Sequence, residues 1–146
     1  MATDTATPVA HAPSRKYLQA LGLWILFIPV AILNAGVRET FIAPAVGDTA
    51  AHVVSTVLTA IPAFSLVIWA YFTYVAEPHS RRELAYIGLM WLLLTPLFEF
   101  GFGHYVMGHS WMTLLGDYNV FAGRVWILVP IWLAIAPLLF GYYLKR

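Results

Sequence analysis

The sequence predicts an all-α membrane protein: a four-transmembrane-helix bundle with a short interfacial segment between helices 3 and 4. Three observations carry this. Of 146 residues, 61% are apolar and 10% charged, whereas soluble domains average about 45–50% and about 25%. Four apolar stretches reach the roughly 20 residues that a bilayer core of about 30 Å requires of a helix. None of them alternates with period two, so strands are excluded. A chain of this length supports one domain.

Residues 1–14 are small, polar and interrupted by proline, the composition of a disordered tail. The transmembrane domain then occupies residues 15–146, with spans at about 17–37, 51–76, 84–102 and 121–144. The first apolar run follows Arg15 and Lys16 and is longer than the 7–15 residues of a signal-peptide core, so it reads as an uncleaved anchor. The connecting segments 38–50, 77–83 and 103–120 collect Gly, Pro, Asp, Asn, His and nearly all the charge, which marks them as loops. Within the last, Ser110 is placed to cap a short helix through Leu115 that Gly116 ends. Such a helix would lie over the bundle at headgroup depth. The prolines inside the spans read as tolerated kinks.

Four spans put the N-terminus, the middle loop and the C-terminus on one side. That side carries Arg15, Lys16, Arg81, Arg82, Lys145 and Arg146, against Arg38 and Arg124 on the other. The positive-inside rule therefore expects both termini in the cytoplasm. Tyr17, Tyr142 and Tyr143 beside the basic residues fit interfacial anchors.

A formal charge of +1 without a basic cluster gives no field for gripping nucleic acid. The absence of cysteine removes disulfides, thiolate metal sites and thiol nucleophiles. No P-loop, Rossmann or GxSxG pattern occurs. What remains is an asymmetric distribution of polar groups. Asn34, Arg38, Glu39, His52, Glu99, His104, His109, Asp117 and Arg124 all fall in or near the outer half of the assigned spans. Counting 1.5 Å per residue from Glu83 puts Glu99 about 24 Å along a hydrocarbon path of about 30 Å. A carboxylate at such depth is paired, neutralised or hydrated; Arg38 and Arg124, the latter preferred, are the cations at similar height. Gly88, Thr95, Glu99 and Gly103 form a small and polar stripe on helix 3, which is the kind of face that packs against other helices in lipid. Glu99, His104 and His109 lack the i, i+3 or i+4 spacing of ligands on one helix, so neither a metal nor a cofactor is expected.

The strings NAGVRETFIAPAVGDTAAHVVSTV (residues 34–57), FEFGFGHYVMGHSW and LLGDYNVFAGRVWILV (within 98–129) resemble those of a family of small four-helix bacterial inner-membrane proteins. The resemblance implies a multi-pass protein of the bacterial inner membrane and brings no activity, cofactor or site residue with it. The polar cluster itself points to a non-enzymatic pocket that binds a small polar or lipidic ligand or relays protons or ions. Two other classes compete. In an assembly or interaction subunit, the cluster would be structural and the partner another membrane protein or a second copy. In a small membrane enzyme, Glu99 and a histidine would serve as acid and base, with or without a metal.

The expected orientation is testable because the chain has no native thiol. A single cysteine at Thr49 should react with an impermeant reagent in intact cells, and one at Ser80 should not; the reverse pattern would invert the topology.

Overall fold

Pro13 opens the first helix, a position where its missing N–H costs nothing. The described residues hold five helices, this one being the first: α1 (Arg15–Val46, continuing the turn that Pro13 opens), α2 (Asp48–Val75), α3 (Arg81–Tyr105), α4 (Trp111–Gly116) and α5 (Leu128–Tyr143). The computed structural model describes residues 13–116, 118–119 and 125–144, with backbone alone for 13 and 14. Residues 1–12 of the expected tail, the start of the fourth stretch at 121–124, Asp117, Arg124, Lys145 and Arg146 lie outside the described residues. No strand occurs among the described residues. α1, α2 and α3 are each long and apolar enough to cross a membrane, and α5 is a shorter apolar helix.

The expected loop at 38–50 is almost wholly helical. α1 continues to Val46, and the chain turns into α2 through Gly47 alone, at φ +87°. That conformation is open to glycine and strained for other residues. The charged Arg38 and Glu39, followed by Pro44, give this stretch the composition of a loop. Proline is accommodated because hydrogen bonding widens just before it: across Arg38–Ile42 the pattern slips to five residues, with the Ala43 N–H bonded to the Arg38 carbonyl. The ladder has thus already changed register where Pro44 can give no donor. The same widening recurs at Ser55–Ala60, Tyr71–Val75 and Leu139–Tyr143.

Ion pairs gather one end of the bundle. Lys16 Nζ lies 2.7 Å from Glu83 and Arg15 3.9 Å from Glu77. Arg81 donates to the Tyr142 hydroxyl at 3.1 Å, with its guanidinium over that ring. Ser80 caps α3 by accepting from the Glu83 N–H. Gly47 and α4 lie toward the other end.

Between the ends the core is aromatic, built on Trp24, Phe27, Phe64, Phe72 and Trp91 with Leu84, Ile87 and Leu133. Its indoles also carry polar links across helices. Trp91 Nε1 donates to the Ala20 carbonyl at 2.9 Å, Trp24 Nε1 to Thr95 Oγ1 at 3.1 Å, and Trp132 Nε1 to Ser65 Oγ at 2.8 Å. Buried indoles need such partners. The exterior is the reverse, with Leu18, Leu33, Leu58, Leu66, Leu93 and Leu97 all well exposed. An apolar outer surface of this kind suits lipid rather than water.

The stripe on α3 faces inward as the sequence predicts. Gly88 meets α5 so closely that an added Cβ would sit 2.1 Å from the Ala134 carbonyl oxygen. α3 and α5 form the most extensive helix pair among the described residues. Gly88→Ala should therefore force the two backbones apart and destabilise by about 1–3 kcal/mol. Gly22→Ala, on a helix position with nothing within 4 Å, should instead stabilise by about 0.5–1 kcal/mol. Thermal unfolding of both variants in detergent checks the contrast, and an equal response at the two sites would mean that the Gly88 contact does not hold α3 to α5.

Candidate functional site

Past Tyr105 the chain reverses through Gly108, at φ +74°, while the His109 N–H bonds back to the Gly103 carbonyl at 2.8 Å. Ser110 then accepts from the Thr113 N–H at 3.1 Å and starts α4, which ends at Gly116 as the capping pattern predicts. This short helix folds back onto α3. Leu114, 9% exposed, fills the space left by the missing side chain of Gly103. Trp111 stacks on His104 with centroids 3.8 Å apart, and Tyr118 stacks on Phe100 at 5.6 Å.

Beneath α4 lies a cavity of about 250 Å³. α1 lines it with Ala31, Ala35 and Arg38, and α2 contributes His52. α3 supplies Phe98, Glu99 and Gly103; Leu114 of α4 closes it together with Tyr118 and Trp126. Three of the residues expected in the polar cluster, Arg38, His52 and Glu99, thus share one cavity although they come from three helices.

Glu99 is held by two neutral donors: the Tyr118 hydroxyl bonds one carboxylate oxygen, and Trp126 Nε1 the other at 2.6 Å. Neither donor is among the partners that the sequence suggests for Glu99, which are cations. The preferred cation, Arg124, lies outside the described residues. Arg38 pairs through Nε with Glu39 at 3.3 Å; the Arg38 side chain is 15% exposed and that of Glu39 61%. Glu39 accordingly sits on the rim. His52 has Asp48 at 3.8 Å, one helical turn earlier.

Asn34 is buried and does not line the cavity; it accepts from Thr59 of α2, whose hydroxyl also reaches the Ser55 carbonyl at 2.6 Å. His104 and His109 do not line the cavity. His104 instead lies against Trp111, with Nδ1 2.9 Å from the His109 carbonyl, and His109 is exposed. Asp117 lies outside the described residues. Among the described residues no three His, Asp or Glu side chains converge as a metal site would require.

Comparison with protein families, curated proteins and solved structures finds no match to this chain. Function is therefore argued from the site alone.

The two bonds to Glu99 join α3 to the segment between α4 and α5, so breaking them should loosen that segment. Tyr118→Phe and Trp126→Phe should each cost about 1.5–3 kcal/mol, the usual worth of a bond to a charged group. Each should cost much less in a Glu99→Gln background, with a coupling of about 0.5–3 kcal/mol in the double-mutant cycle. Thermal unfolding measures it, and strict additivity would show that these donors do not support the carboxylate.

Proposed function

We propose that this chain is a polytopic protein of the bacterial inner membrane, with four spans and both termini in the cytoplasm, that binds a small polar or lipidic ligand in the cavity beneath α4. The same cavity would also serve a relay of protons or ions. The fourth span is α5 with the residues just before it. The orientation rests on six Lys/Arg against two; that these segments share one end is supported by the Arg15–Glu77 and Lys16–Glu83 ion pairs and the hydrogen bond from Arg81 to Tyr142.

The single observation that carries the binding reading is the convergence of Arg38, His52 and Glu99 on one cavity with largely aromatic and apolar walls. Ligand sites are mostly apolar clefts with a few convergent polar groups, commonly between the helices of a bundle. Ionisable groups at such depth in an apolar helix are costly and are kept for a purpose. The bacterial inner-membrane setting follows the resemblance of residues 34–57 and 98–129 to small proteins of that membrane.

A second reading is favoured by the way both oxygens of Glu99 are bonded internally. Under it the network only fastens helices, and the chain is an assembly or interaction subunit of a larger membrane complex, or a homo-oligomer.

Native mass spectrometry of gently extracted protein separates the two. A bound small molecule should accompany the wild type, be lost in Arg38→Gln, and persist in His109→Ala, since His109 does not line the cavity. A stoichiometric protein partner with no small-molecule adduct would support the assembly reading and overturn the binding one.

A further inference from the structure

The cavity beneath α4 does not end at Glu99. A second cavity, of about 60 Å³, shares Ala31, Phe98, Glu99 and Trp126 with it. It continues into the core between Phe27, Phe64, Val129 and Leu133. The polar groups on its walls are already engaged. Thr95 bonds Trp24 and the Trp91 carbonyl, and Trp126 bonds Glu99. A cavity with such walls does not hold water well and accepts apolar groups. Trp24 and Ala31 both line it; at about 60 Å³ it takes only the last few carbons of an alkyl chain whose head lies on Arg38, the rest of an eight-carbon chain lying in the outer cavity.

The outer cavity differs in having donors to spare. Arg38 uses Nε on Glu39, and its terminal guanidinium nitrogens bond none of the described residues. A guanidinium that is largely withdrawn from solvent seeks a two-oxygen acceptor, carboxylate or phosphate, which its fork matches. The Glu99 carboxylate meanwhile accepts from Tyr118 and Trp126.

From this juxtaposition we infer that the ligand is a single-chain amphipath with an anionic oxygen head on Arg38 and an alkyl tail passing between Ala31 and Trp126 into the apolar cavity. This rests on the binding reading above and names its ligand class. The head is supplied either by a free fatty acid or by a phosphate-bearing single-chain lipid.

The probes are octanoate, butanoate, octan-1-ol, methyl octanoate and an eight-carbon lysophosphatidate. Each is added to the full chain in a non-ionic detergent, and retention is read by native mass spectrometry. Octanoate, the lysophosphatidate or both should be kept one to one. Octan-1-ol and methyl octanoate should be held at least about tenfold more weakly, the loss expected for a bond to a charged group. The stronger of the two anions identifies the source of the head.

Arg38→Gln should reduce the acids to the level of the alcohol, while Arg38→Lys keeps part of the retention and shows that the fold survives a change there. Ala31→Leu, which narrows the neck without touching the polar groups, should bring octanoate down to butanoate. Equal retention of octan-1-ol and octanoate, or indifference to Ala31→Leu, would overturn the inference. If the wild type carries a ligand that Arg38→Gln loses, yet none of these probes binds, the amphipath fails and the cavity remains a binding site. If neither occurs, both readings fall.

Discussion

The structure depends on a carboxylate embedded in an apolar bundle. Glu99 sits on α3 among Phe98, Phe100 and Phe102, where water cannot be relied on to solvate it, so the chain must bring donors to it. It brings them from beyond α4. Tyr118 follows the short helix and Trp126 precedes α5, and both bond the same side chain. Satisfying one acid thus ties Tyr118 and Trp126 to α3. It also fixes the position of α4 over the cavity. The stacking of Trp111 on His104 and of Tyr118 on Phe100 adds area to an arrangement whose register the carboxylate sets.

Elsewhere the same requirement is met in smaller units. Apolar surroundings give helices little hydrophobic reason to associate, and polar contacts and close approach take over. Indole N–H groups link α1 to α3 and α5 to α2, and Gly88 lets α5 come within contact of the α3 backbone. The wide-turn segments at Arg38–Ile42 and Ser55–Ala60 flank the Gly47 turn. They carry Arg38 on one helix and Thr59, the partner of Asn34, on the other. Local departures from α-helical bonding often mark functional places, and here one of them holds the cavity's cation.

Much of this was legible in the sequence. Apolar run length gives the helices, and Ser110 with Gly116 gives α4, because both signals are local and depend on neighbours three or four residues away. The inward face of α3 was legible for the same reason, since Gly88, Thr95, Glu99 and Gly103 repeat at helical spacing. What failed was non-local or ambiguous. Residues 38–50 look like a loop by composition, yet composition does not distinguish exposed helix from loop once a five-residue turn absorbs Pro44. The donors to Glu99 escaped because they become neighbours only after the reversal at Gly108, and because tyrosine and tryptophan near a span end read first as interfacial anchors. His104 and His109 fall in the same outer polar cluster as Glu99 by sequence, though at a more peripheral height. Which way each faces is decided by that same reversal, and it turns His104 toward Trp111.

Whether the polar groups are glue or a site turns on how completely they satisfy one another. A network built only to fasten helices would leave no strong donor over, since an unmatched cation in a poorly hydrated place costs stability without return. Glu99 meets that standard: each oxygen has its donor. Arg38 does not, because its one described partner, Glu39, is exposed, takes Nε alone and lies at 3.3 Å. The imbalance falls on the wall of a cavity that opens into a second, apolar one. A helix fastener has no use for either space, and close packing of the core would remove both. The unmatched donor and the unfilled volume coincide, and a ligand with a charged head and an apolar tail accounts for both at once.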